Sequence, residues 1–267
     1  MAVARILIVA GSDSGGGAGI QADIKTVTLL GGHAMTAITA ITAQNTLGVT
    51  DVHPVPAGSV IAQIDAVAFD IGIDAVKIGM IGSPDTAARV AERLSRPDLA
   101  AVPVVFDPVM IATSGSRLAS AETIAVFGDL MRRATLSTPN LDELGALAGL
   151  TLSDEASVAT AATGLIERLG CGAILATGAE TGPGELTDLL FDGAGPDAIH
   201  RWSANRIDTI HDHGTGCTLA SAVATGLGQG LALDAAIERA RRFVRTALEH
   251  APGLGSGHGP MGHRALA

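Results

Sequence analysis

Arg5-Ile6-Leu7-Ile8-Val9-Ala10 runs directly into Gly11-Ser12-Asp13-Ser14-Gly15-Gly16-Gly17-Ala18-Gly19. The first six residues are almost unbroken in apolar character. They predict a strand buried on both faces, because a parallel strand covered by helices above and below has no wet side. Five glycines in the next nine residues predict a turn where backbone comes close to a ligand. The pattern then becomes helical through about Gly31. Strand, glycine turn and helix together are the building unit of an α/β sheet.

The same alternation continues outward. Strands are predicted near 34–41, 74–80, 102–107, 134–138, 172–177, 187–191 and 198–203, with helices near 57–70, 84–95, 120–133, 142–149 and 153–168. Two helices follow, near 215–229 and 234–249, the second with Ile237, Ala240, Val244 and Leu248 on one face and Arg and Glu on the other. Right-handed crossovers between such units give a mostly parallel central sheet between two helical layers. The two successive strands at 187–203 predict an antiparallel edge. The expectation is an α/β chain forming one domain over 1–267, with 252–267 as a loosely held tail. Ligands of such sheets bind beyond the C-terminal ends of the strands.

Composition agrees with a large core: of 267 residues, 47% are hydrophobic and 16% charged. The net charge is −10 and no basic run exceeds a pair such as Arg241-Arg242, which argues against nucleic-acid binding. Residues 26–50 carry no Asp, Glu, Lys or Arg, about the length of a membrane span. Seven threonines, Gln44, Asn45 and three glycines interrupt them, so a buried strand is the better reading and no membrane partner is expected. Two cysteines, Cys171 and Cys217, suit a reduced cytoplasmic setting rather than a disulfide framework.

Two segments carry the chemistry. The loop opened by Gly11 lacks the Gly-Lys-Ser/Thr of a P-loop and the third glycine of a dinucleotide fingerprint, where Ile20 stands. It is either a tight turn or a ligand-contacting loop of another kind. His213-Gly214-Thr215-Gly216-Cys217-Thr218 opens a helix. Gly214, Thr215 and Gly216 then direct amide N–H groups to one point, where the helix dipole adds positive character for a phosphoryl oxyanion. Cys217 falls in the first turn, a place that can lower a thiol from about 8.5 into a roughly 3.5–7.5 range and make it a general base. The alternative is a small apolar cysteine. His211 and His213 with Cys217 give no fourth ligand for zinc.

Asn140-Leu141-Asp142-Glu143, after Ser137-Thr138-Pro139, and Asp107, in Phe106-Asp107-Pro108, place carboxylates at strand ends. There Glu143 and Asp107 suit Mg²⁺, or serve as helix caps. Gln44 presents a donor and an acceptor, as reading an aminopyrimidine ring requires, or is a core glutamine satisfied within the protein. Asp23 and Met80 are further pocket candidates, and Lys77 can reach solvent from a strand end.

Taken together, Gly11-Ser12-Asp13 with Gly15 to Asp23, Thr42-Ala43-Gln44-Asn45-Thr46, Lys77-Ile78-Gly79-Met80, Asp107-Pro108-Val109-Met110, Thr138-Pro139-Asn140-Leu141 with Glu143, and His213 to Leu219 stand in one order along the chain. In this the chain resembles the hydroxymethylpyrimidine and phosphomethylpyrimidine kinases of thiamin biosynthesis, in the ribokinase-like superfamily. The resemblance implies a three-layer α/β/α sandwich, ATP and Mg²⁺, a homodimer, and phosphorylation first of the alcohol and then of its monophosphate. It places Gln44 on the pyrimidine, Gly11, Asp23 and Met80 near it, and the anion hole at 214–217 with Cys217 as base. Asn140, Thr177 and Gly178 fall to the nucleotide. Many members carry Lys-Gly-Gly-His where this chain has Thr177-Gly178-Ala179-Glu180, so the lysine that meets the ATP phosphates is missing. A pyridoxal kinase of the same fold, or a silent pyrimidine-sensing protein, are the other functions this pattern allows.

Overall fold

The computed structural model describes residues 3–267 apart from 114, 183, 194 and 196. Nine strands form one sheet: β1 (Arg5–Asp13), β2 (His33–Asn45), β3 (Gly48–Pro54), β4 (Ala75–Ile78), β5 (Val104–Phe106), β6 (Leu136–Ser137), β7 (Ala173–Gly182), β8 (Glu185–Phe191) and β9 (His200–Asn205). Their order is β3-β2-β1-β4-β5-β6-β7-β8-β9. The strands from β2 to β7 pair in parallel, while β8 and β9 add antiparallel strands at one edge. At the opposite edge lies a strand the apolar pattern does not predict, β3, antiparallel to β2. Its Thr50, Asp51 and His53 face solvent or lie at the rim, so hairpin pairing rather than burial creates it.

β1 sits at the centre because its side chains serve both layers. Leu7 and Val9 join the core under α2 (Ala57–Asp70), α3 (Pro84–Leu94), α5 (Phe127–Arg133), α6 (Leu141–Ala148) and α7 (Glu155–Leu169). Ile6, Ile8 and Ala10 join the second core, under α1 (Gly19–Leu29), α8 (Thr215–Gly228) and α9 (Leu233–Glu249). Successive strand residues point to opposite faces, and here each face meets a helical layer. The three-layer α/β/α sandwich is therefore the architecture. The single helix expected over 120–133 is two, α4 (Ala121–Ala125) and α5, divided at Val126.

Residues 26–50 are the end of α1, then β2 and the start of β3, and among the described residues no helix is long and apolar enough to cross a membrane. The chain end is corrected too. Residues 252–256 are exposed, but Met261 and His263 are buried, the Gly262 amide donates to Ala247, and the His263 ring lies 3.1 Å from the Thr218 hydroxyl. This tail is docked on α8 and α9, not loose.

The order of strands reverses direction between β1 and β4, with the chain moving outward to one edge first and then to the other. Their C-terminal ends, with those of β5, open a crevice at that switch point, where ligands of such sheets bind.

Candidate active site

The crevice is a cleft of about 630 Å³, within the size of a small-molecule site. It runs from Gln44 and Met80, past Asp107 and Cys217, to Thr177 and Arg245. All but one of the site residues expected from the sequence line it. The exception is Asp23, which is sealed beneath the floor with Lys77. Lys77 Nζ stands 3.0 Å from both carboxylate oxygens of Asp23, and the Ser221 hydroxyl donates to Asp23 at 2.7 Å. Lys77 does not reach solvent. Burial pulls its pKa down, but Asp23, with Cys217 and Asp107, lifts it above its ordinary value, so it is a fixed cation. The pair ties α1, β4 and α8 together, and removing one partner alone costs roughly 3–5 kcal/mol.

At one end Gln44 is held from both sides. Its amide lies 3.0 Å from the His213 ring and 3.1 Å from the Thr42 hydroxyl. An amide has two N–H groups and two lone-pair positions, so a donor and an acceptor remain for a ligand edge. The same His213 nitrogen, Nε2, also lies 3.2 Å from Asp13 and serves one of the two partners at a time, while Nδ1 lies 3.3 Å from the Thr113 hydroxyl. Met80 forms apolar floor here, close to Gly11, where a Cβ would stand 3.0 Å from its sulfur.

The glycine loop after β1 is mostly spent on itself. The Asp13 carboxylate accepts from the amides of Gly15, Gly17 and Ala18 at 2.8–2.9 Å. Burial pushes this carboxyl up, but the bonds from His213, Ala18 and Gly15 outweigh it and hold the group below its ordinary value. Gly11, Ser12, Ala18 and Gly19 reach the cleft; Gly15, Gly16 and Gly17 do not. The loop is thus a structural nest around an internal anion, and Asp13 and His213, present in the sequence motifs without a pocket role, are site-building residues.

The start of α8 is different. Its N-cap, Gly214, has φ +89° and no side chain caps the helix. A Cβ there would lie 2.0 Å from the Gly17 carbonyl, so only glycine fits. The Thr215 amide and hydroxyl both go to the Asp212 carbonyl, which removes Thr215 from the donor set. The amides of Gly216 and Cys217 have no i−4 carbonyl inside the helix, and among the described residues no other acceptor takes them. They are the open donors.

Cys217 lies where expected, but its proton affinity moves the other way. Burial pushes the thiol up to about 12, with Asp23 and Asp107 adding to it, while Lys77 and the Gly19 backbone pull it down. Cys217 as a residue is only half-buried, yet its thiol is crowded by these groups. Desolvation beats the helix terminus.

Across from it, Asp107 is 4% and Glu143 8% exposed. Burial lifts Asp107 to about 6, with Lys77 opposing, and lifts Glu143 to about 8, with Asp107 adding repulsion. Glu143 also closes a capping box with Asn140 at the start of α6, so the capping and site roles coincide. Asp107 Oδ2 and the Thr138 hydroxyl are buried with no hydrogen-bond partner among the described residues. Two carboxyls held side by side with an orphaned oxygen are a fit for a divalent cation that keeps most of its own waters. Farther along, the Thr177 amide donates to Pro139 and the Gly178 amide to Asp188, so neither amide is free for a ligand.

An α/β/α sandwich with an open helix terminus facing paired carboxyls across the switch-point cleft defines a ribokinase-like small-molecule kinase fold and site. The phosphomethylpyrimidine kinase family matches residues 13–262, and the chain belongs to that family. The hydroxymethylpyrimidine/phosphomethylpyrimidine kinase of Rhizobium meliloti is 46% identical over 261 residues, covering 96% of each chain. The thiamine biosynthesis bifunctional protein ThiED of Geobacter sulfurreducens is 48% identical over 97% of this chain, which spans about half (52%) of that longer protein. Among solved structures, an ADP complex of Bacillus subtilis pyridoxal kinase superposes with a TM-score of 0.88 at 33% identity, covering 99% of both chains.

Proposed function

We propose that this chain transfers the γ-phosphoryl group of ATP to 4-amino-5-hydroxymethyl-2-methylpyrimidine, and then to the monophosphate so formed, in thiamin biosynthesis. The observation that carries the reading is the uncapped first turn of α8, whose free Gly216 and Cys217 amides face the Asp107–Glu143 pair across the cleft. Gln44 meets the aminopyrimidine edge, oriented by His213 and Thr42. Met80 and Gly11 support the ring. The two amides receive the transferring group as charge spreads over its oxygens, the largest contribution a fixed site makes to phosphoryl transfer. Asp107 and Glu143 would hold Mg²⁺, which supplies charge neutralisation on the phosphates. Asn140, Thr177 and Gly178 flank the nucleotide, while Gly214 shapes the turn and Thr215 locks it to Asp212.

Cys217 accepts the hydroxyl proton. In the ligand-free protein its thiol is neutral, so this role depends on offsetting the charge of Asp107 and leaving Lys77 as the dominant neighbour. Asp23 acts from beneath by fixing Lys77. The family resemblance supports a homodimer, and the two unpaired cysteines support a cytoplasmic setting. The likeness to a pyridoxal kinase supports one second reading, pyridoxal as a substrate of the same cleft. ADP release measured side by side with the hydroxymethylpyrimidine, its monophosphate and pyridoxal tests both. The expected result is fast turnover of the two pyrimidines; pyridoxal as the only substrate turned over would reverse the assignment.

A further inference from the structure

We infer that Arg245 is the cation that binds the phosphate chain of the nucleotide. This deepens the reading of the cleft as a nucleotide site and rests on it. The far limb of the cleft is walled by Thr177 and Gly178, by the 204–207 segment at the end of β9, and by one face of α9. Arg241, Arg245 and Leu248 share that face at i, i+4 and i+7.

The charges there can be accounted for one by one. Arg206 pairs with Glu180. Arg241 Nε binds Asp188 at 2.7 Å, and the other Asp188 oxygen takes the Gly178 amide. Thr177 carries no charge. Arg245 donates one hydrogen bond, from Nη1 to the Asn205 carbonyl at 2.9 Å, and among the described residues it has no carboxylate partner. It is a half-buried residue whose charge no carboxylate among the described residues answers.

A guanidinium has five N–H donors in a planar fork, and four of these remain free. Phosphate oxygens fit that fork in paired hydrogen bonds. The protein as a whole carries −10 and repels a polyanion, so the attraction must be local. The sequence pattern assigns Arg245 to the solvent face of the last helix. The fold turns that face toward the cleft.

The test is direct binding of ADP and of adenosine to the full chain by calorimetry, without pyrimidine and without turnover. In Arg245→Gln, ADP should bind about 10- to 100-fold more weakly, and adenosine unchanged, as expected for loss of a charge-assisted contact. Retained adenosine binding also shows that the variant is folded. Arg206→Gln, which removes an already neutralised charge, should change ADP affinity less than about threefold. Thr177→Lys in the Arg245→Gln background should restore part of the loss, because position 177 faces the same limb. An equal loss for ADP and adenosine would mean that Arg245 stacks on the base or shapes the wall, and unchanged ADP affinity would mean that it does neither; both results overturn the assignment. Wild-type protein that binds no ADP would instead overturn the nucleotide reading itself.

Discussion

Two glycine-rich segments enter helices on the same side of the sheet, and they end in opposite states. After β1, the amides of Gly15, Gly17 and Ala18 converge on a point already filled by the Asp13 carboxylate. Before α8, the amides of Gly216 and Cys217 have no acceptor among the described residues. Both segments share the local signal of glycines at a helix start, and both make an anion-binding nest. The first is closed by the chain's own anion and serves as scaffold. The second is left for a ligand. The two also touch, because the Gly17 carbonyl lies where a side chain at 214 would have to stand.

The contrast makes its strongest claim at that contact. Gly214→Ala must move either the Gly17 carbonyl or the first turn of α8. We expect kcat to fall at least about a hundredfold, the loss associated with displacing an oxyanion donor, together with a lower Tm. Wild-type turnover in this variant would separate the open nest from the chemistry. Cys217→Ala should come next, with kcat down by about 10²-fold or more and the pyrimidine KM little changed. Steady-state kinetics at saturating ATP reads both.

On the scaffold side, Asp13→Ala leaves three amides and His213 without their acceptor. The expected cost is roughly 2–4 kcal/mol of stability, read by denaturant unfolding. Because its folded pKa is depressed, the contribution of Asp13 is present above its ordinary value of 3.8 and is lost as pH falls through the depressed value. Wild type and variant should therefore converge in stability in strong acid. Equal stability at pH 7 would reduce Asp13 to a bystander.

A smaller effect belongs to the carboxyl pair facing the open nest. Asp107 and Glu143 have folded values raised to about 6 and about 8, so each lowers stability increasingly as pH rises from the ordinary carboxylate range through those values. If Mg²⁺ binds there, the gain in Tm on adding it should be larger at pH 8 than at pH 5.5. A pH-independent gain would place the ion elsewhere.

Most of the sheet was legible in the sequence, since apolar runs such as Val104-Val105-Phe106 report burial on both faces. The edge strand β3 was not, because its partner and not its composition makes it a strand. Among the site residues, Gln44, Cys217, Asp107 and Glu143 stood out as polar or reactive groups at strand or helix ends, and all line the cleft. What stayed hidden depends on distance in the fold. The Lys77–Asp23 pair joins residues 54 apart, and it turned an expected pocket residue into a buried counter-ion. The bonds of Asp13 run to amides, which have no sequence signature. The thiol at 217 showed its helix position but not its burial, which with Asp23 and Asp107 moves its pKa up rather than down.

The central claim is that the transferring phosphoryl group is held by the free amides of Gly216 and Cys217. A crystal structure of the chain with ADP, Mg²⁺, aluminium fluoride and hydroxymethylpyrimidine addresses it directly. The account predicts the planar or square fluoride group within hydrogen-bonding distance of both amides, between the nucleotide and the substrate hydroxyl. A fluoride group seated instead at the Gly15–Gly17 turn, or more than about 5 Å from the first turn of α8 and so beyond any hydrogen bond, would contradict it.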